Sequence, residues 1–150
     1  MTSNPDPTLP RARWFHWPVS VAALVWSVIS AADYVLTKLQ IAAYVSAFTP
    51  DQLDYFDTLP VWVNLGWALG VWAGLAGAFL LLTRARSAAA LFALSFGGLL
   101  AATVGLIFLT EPPLQAVTGR IGIWVMLAAL GIALLLFVYA RAMNVRLRQG

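Results

Sequence analysis

The chain has 150 residues, 61% of them hydrophobic and 10% charged, with a formal net charge of +3. A soluble domain carries about a quarter charged residues, and so short a chain could not hide this much apolar surface in a core of its own, so the bilayer is its natural solvent. No cysteine and a single histidine exclude disulfides, thiolate catalysis, Cys-ligated metals and a bis-His haem within one chain. The basic residues sit at the ends of apolar runs, which is a topology signal and not a nucleic-acid patch.

Residues 1–10 are rich in proline, lack an apolar period and read as a disordered tail. Arg11 and Arg13 then flank Trp14, Phe15, His16 and Trp17, a mix of cations and aromatics that marks a membrane interface. His16 reads either as packing beside tryptophan or as a proton-sensing group. The apolar run that follows predicts a helix over about 14–36, long enough to cross the hydrocarbon core. It also has the three parts of a signal peptide, ending in Ser30-Ala31-Ala32. The aromatic flank and the polar face of Ser27, Ser30 and Asp33 favour a retained span.

Asp33 closes that run. Ser30, Asp33 and Thr37 share one helical face, with Tyr34 and Lys38 on the adjoining one. A carboxylate inside a membrane is a functional candidate by default, because its burial is costly. Asp33, Tyr34, Thr37 and Lys38 therefore form the candidate polar site. Either Asp33 is interfacial, solvated or paired with Lys38, or it binds a proton or polar substrate. No second carboxylate lies within a span, so no acid/base dyad is visible.

Phe48-Thr49-Pro50-Asp51-Gln52-Leu53 reads as a helix start. Thr49 is the N-cap, Pro50 occupies the first helical position, and Asp51 favours the positive end of the dipole. Gln52 completes a capping box, with Phe48 placed to staple onto Leu53. This predicts a short external helix over about 50–58. Uncharged runs over 61–82, 87–109 and 121–140 are each long enough to span. Residues 83–86 must make a tight turn, and 110–120 a short loop in which Pro112 and Pro113 stop the third span. A basic tail occupies 143–150. The expected fold is thus an all-α membrane protein: a four-transmembrane-helix bundle over 11–142 with a short extra helix in the first external loop.

Small residues recur one turn apart at Gly66, Gly70 and Gly74 in the second span and at Gly97, Ala101 and Gly105 in the third. Such faces let two backbones approach closely, so these glycines are predicted to pack the two helices together. A groove for a lipid tail or quinone is the alternative. Trp14, Trp17, Trp62 and Trp124 fall at helix ends, as an aromatic belt does. Trp26, Trp67 and Trp72 lie deeper, and their indole N–H groups need acceptors, a flat aromatic ligand site being the other reading. Arg11, Arg13, Arg84, Arg86, Arg141, Arg146 and Arg148 lie on one side, against Lys38 and Arg120 on the other. The arginine-rich side should be cytoplasmic, with both termini inside.

Trp26, Asp33-Tyr34, Thr37, Tyr44 and Phe48-Thr49-Pro50-Asp51-Gln52, followed by Tyr55-Phe56, Pro60, Trp62, Trp67-Ala68 and Gly70-Val71-Trp72, resemble a group of small bacterial four-helix inner-membrane proteins. Some members of that group are labelled sugar transporters. The resemblance covers about residues 26–86 and implies the fold and an inner-membrane location. It departs at Ser27, where the group has Asn, and at Lys38, where it has Gln.

No phosphate loop, HExxH, GxSxG or metal-ligand spacing occurs, so no enzyme, cofactor or metal is expected. The expected role is that of an accessory protein that binds lipid or another membrane protein. The alternative is a small oligomeric transporter of a polar or sugar-like solute. Expected partners are membrane lipids, the protein itself or another membrane protein, and no nucleic acid.

Overall fold

The computed structural model describes residues 15–149, with side chains as far as 145. The expected tail over 1–10, the flank of Arg11, Arg13 and Trp14, and the side chains of Arg146 and Arg148 lie outside the described residues. Among the described residues six α-helices follow one another: α1 (His16–Lys38), α2 (Ala42–Val45), α3 (Pro50–Asp57), α4 (Val61–Leu82), α5 (Ala88–Val104) and α6 (Leu114–Gln149). A π-helical turn, Gly105–Leu109, extends α5. No strand occurs among the described residues. Among the described residues four helices are long and apolar enough to cross a membrane: α1, α4, α5 with its π turn, and α6. The protein is an all-α, four-helix membrane protein.

Two of the reversals are built from backbone alone. At the end of α1, Ile41 N–H donates to Leu36 O and Gln40 N–H to Thr37 O. At the end of α4, Ala85 N–H donates to Leu80 O and Arg84 N–H to Leu81 O. Both are Schellman closures, and their left-handed positions hold Gln40 (φ 49°) and Arg84 (φ 57°) in place of the usual glycine. Such a residue costs about 1–2 kcal/mol more than glycine there, which the satisfied carbonyls help to offset. The start of α3 is as its sequence dictates. Thr49 accepts from Gln52 N–H, Gln52 returns the bond to Thr49 N–H, and Pro50 fills the first turn.

The final span departs from expectation. The segment over 110–120 is not simply a loop: α6 begins at Leu114, immediately after the prolines that stop α5. Proline ends one helix and can precede the next, because the first turn needs no N–H donor. Leu114 holds this early turn in place, buried beside Tyr55, Leu59 and Val63. Gly119 then breaks the helix at φ 68° before the long apolar stretch resumes.

α4 is the central helix and packs on both α1 and α5, and α5 packs on α6. The α4–α5 contact is the closest. A methyl group on Gly98 would lie 2.7 Å from both Gly66 O and Gly70 N, so the two backbones touch there. Gly66, Gly70 and Gly74 all face α5; a methyl group on them would meet Gly98 O, Leu99 and Ser95 at 2.9, 2.6 and 2.9 Å. Gly105 is packed under Trp62 and Val63. Gly97 is the exception. It is exposed, a methyl group there would meet nothing within 4 Å, and Ala101 is exposed too. The contact face of α5 runs through Gly98 and Ala102, one residue on from the expected register.

Buried side chains form two separate cores. One, at the cytoplasmic end by the expected orientation, joins Ala23, Ala78, Leu81, Ala88, Phe92 and Ala140. The other, under α3, joins Tyr55, Leu59, Val63, Ala102, Leu106 and Leu114. The middle of the bundle lies between them.

Candidate functional site

A cavity of about 590 Å³ occupies that middle. Its back wall is the glycine face of α4 with Phe92, Ser95 and Leu99 of α5. Its sides are α1, through Trp26, Ile29, Ser30, Asp33 and Thr37, and α6, from Leu114 to Leu136. α1 and α6 are not closely packed on each other along most of their length. Ile29, Ile121 and Val125 line the cavity and yet are 58%, 76% and 57% exposed. The cavity therefore opens sideways, between α1 and α6, where hydrocarbon would surround the protein.

The gap is closed at the end near the N-terminus of α1. There His16 is buried among three protein partners: its Nε2 lies 3.0 Å from Leu81 O and 3.3 Å from Ser20 Oγ, and its Nδ1 3.2 Å from the Tyr139 hydroxyl. The carbonyl can only accept, so Nε2 carries the hydrogen and Nδ1 accepts from Tyr139. The two rings stack at 6.2 Å. His16 thus fastens α1 to α4 and α6, a packing role made with Leu81, Ser20 and Tyr139 and not with a tryptophan.

At the opposite end α3 lies across the bundle and is tied to three spans. Lys38 Nζ donates to Phe56 O at 2.8 Å, joining it to α1. The Tyr55 hydroxyl meets Thr110 Oγ1 at 3.0 Å, joining it to α5. Gln52 Nε2 donates to Val117 O at 3.2 Å, joining it to α6. The π turn has a part in this, because Thr110 N–H closes it on Gly105 O and leaves the Thr110 hydroxyl under Tyr55. Burial pushes the Tyr55 hydroxyl above its ordinary pKa, with Thr110 opposing.

The four predicted polar residues divide into two pairs. Asp33 and Thr37 line the cavity. Tyr34 sets its ring edge-on against Trp67 at 4.9 Å, and Lys38 lies 5.9 Å over the same indole. Lys38 is therefore not the partner of Asp33. That partner is Tyr44 of α2, whose hydroxyl donates to Asp33 Oδ1. Burial first, and then the Asp33 carboxylate, push the Tyr44 hydroxyl up to about 12. Tyr44, Phe48, Phe56 and Trp67 form a continuous aromatic chain around this end, with centroids 5.7, 6.3 and 6.0 Å apart in turn.

Several site residues escape a reading of the sequence. Tyr44 and Gln52 belong to the first external loop, and only the reversal at Gln40 carries them over the cavity. Ser95 donates to Gly70 O at 2.6 Å and lines the back wall; its position one turn before the contact glycines is the available signal. Of the deeper tryptophans, Trp26 and Trp67 line the cavity, whereas Trp72 is 46% exposed and faces outward. No cluster of three metal-ligating side chains occurs among the described residues.

No protein-family model, no curated protein and no solved structure matches this chain.

Proposed function

We propose that the protein is a binding protein, not an enzyme, of the bacterial inner membrane, and that it holds a membrane-dissolved amphiphile in the cavity between α1 and α6. The observation that carries this reading is the sideways-open cavity, apolar along most of its length and polar at one end. A volume of about 590 Å³ lies within the range of drug-sized ligand sites. An apolar body would displace lipid or water from the α6 wall, and a polar group would reach Asp33, Thr37 and Tyr44. The inner-membrane location, with both termini cytoplasmic, is supported by the resemblance over residues 26–86 and by the split of the cations.

The transporter of a sugar-like solute is the weaker reading. A polyol needs hydrogen-bond partners along its whole length. Of the residues that α6 contributes to the cavity, Thr118 alone carries a polar side chain.

The test is mass spectrometry of small molecules that remain with the protein purified in dodecyl maltoside, for the wild type and for Ala129→Trp. Ala129 lines the cavity, and an indole there would fill it. The wild type should retain an amphiphile at about one per chain and the variant should lose it while staying folded. Equal retention by both would overturn the reading.

A further inference from the structure

The cavity carries one formal charge with nothing beside it to balance it. Asp33 is the acidic residue in the lining, and no lysine, arginine or histidine lines it. The cation nearest in sequence, Lys38, is spent on the Phe56 carbonyl at 2.8 Å, and the acid in its electrostatic reach is Asp57. Tyr44 satisfies one oxygen of Asp33, Oδ1, and no hydrogen bond to Oδ2 is made among the described residues. Asp33 is half-buried, so the oxygen that Tyr44 leaves free is open to the cavity, where a cation or a donor can meet it.

The surroundings narrow what could meet it. Trp26, Tyr44, Phe48, Phe56 and Trp67 all line the cavity, and aromatic faces attract a cation while repelling an anion. One carboxylate without further ligating groups is a poor site for a metal ion. An organic ammonium needs only one charged partner, donates to it directly and tolerates aromatic walls. The volume suits one chain or ring system better than a two-chained phospholipid.

From these observations we infer that the site takes a lipophilic amine: an ammonium head on the free side of the Asp33 carboxylate, inside the aromatic chain, and an apolar body along α6. This rests on the binding function proposed above and names the ligand class for it. Tyr44 is then a positioning residue, holding Oδ1 so that Oδ2 faces the cavity. The ligand would enter between α1 and α6 without opening α3, whose three ties can stay intact.

Three probes with the same chain and different heads separate the possibilities: 12-bromododecylamine, 12-bromododecanol and 12-bromododecanoic acid, titrated into protein in dodecyl maltoside. Bromine quenches tryptophan fluorescence on contact, and Trp26 and Trp67 report from the cavity. The wild type should show saturable quenching by the amine at a concentration about tenfold or more below that for the alcohol, the advantage of a charge-assisted hydrogen bond, with the acid weakest. In Asp33→Asn the amine and the alcohol should fall within about twofold of each other, the alcohol unchanged from wild type. Each probe partitions into the micelle equally for both proteins, so the difference between them reads the site.

Equal binding of amine and alcohol by the wild type, or tighter binding of the acid, would overturn the amine assignment while leaving an amphiphile site in place. Persistence of the preference in Asp33→Asn would overturn it as well. Saturable quenching by brominated phosphatidylethanolamine at the same midpoint would assign the site to a two-chained lipid and overturn the free amine. Absence of saturable quenching by all of the probes would bring down the cavity reading itself. The wild-type comparison of heads stands even if Asp33→Asn fails to fold.

Discussion

Asp33 shows what one residue's neighbours decide. The spacing of Ser30, Asp33 and Thr37 puts them on one face, and Asp33 and Thr37 do face the cavity together. Lys38, five positions on, is the counter-ion that sequence proximity suggests, but its long side chain reaches Phe56 O and the Trp67 face instead. The phenol of Tyr44 takes the carboxylate, eleven positions away across a reversal. Burial of that phenol, and then the tie to Asp33, make a pH prediction. The Tyr44 pKa is raised from 10.0 to about 12, so the fold favours the neutral hydroxyl. The contribution to stability is fully present below about pH 10, the ordinary tyrosine value, and is lost as pH rises toward 12. Titration of phenolate absorbance should show a tyrosine step near pH 12 whose amplitude falls by one tyrosine in Tyr44→Phe. A variant curve with the same late step would refute the assignment.

At the scale of elements, α4 and α5 depend on a contact with no room for a side chain. A methyl group at Gly98 would lie 2.7 Å from backbone atoms of Gly66 and Gly70, which cannot swing aside as a side-chain tip can. Gly98→Ala should therefore cost about 1–3 kcal/mol, the range for overpacking a tight contact. Gly97→Ala, one position away on the exposed side, should change stability by no more than about 0.5 kcal/mol. Unfolding titrations in mixed micelles would measure both, and equal effects would contradict this register. The sequence can show that a small-residue face exists on α5. It does not by itself separate Gly97 from Gly98, because each has small residues about one turn away: Ala93 and Ala101 for Gly97, and Ser95, Ala101 and Ala102 for Gly98. Which of them faces α4 depends on how α5 is rotated against its neighbour.

The whole molecule is an up-and-down bundle with α3 laid across one end. α3 and the start of α6 share an end, and the Arg84 turn lies at the other. Arg84, Arg86 and Arg141 lie near the second end, and in the sequence Arg11, Arg13, Arg146 and Arg148 flank the same apolar runs, which predicts that this end faces the cytoplasm. Because the chain contains no cysteine, single cysteines can be introduced at Asp54, Gln115 and Ser87 without background. An impermeant thiol reagent should label the first two in intact cells and Ser87 only after permeabilisation. The reverse pattern would invert the orientation. α6 is the least covered span, with 6% of its most apolar window buried against 44% for α4. Its outward face, including Leu135 at 70% exposure, is suited to lipid.

Local pattern and transfer from water were legible in the chain without its fold: four spans, the capped α3, and small-residue faces on α4 and α5. Apolar length and capping chemistry act within one segment, so they can be read without a partner. Only the packed molecule brings α1 and α6 together at His16 and Tyr139 and holds them apart beyond that point. It likewise brings Tyr44 to Asp33 and takes Lys38 away. These outcomes depend on helix rotation and on the reversals at Gln40 and Arg84, where a left-handed backbone is adopted by residues that do not announce it. A cavity is the space left between packed elements, and so no single stretch of this sequence encodes it.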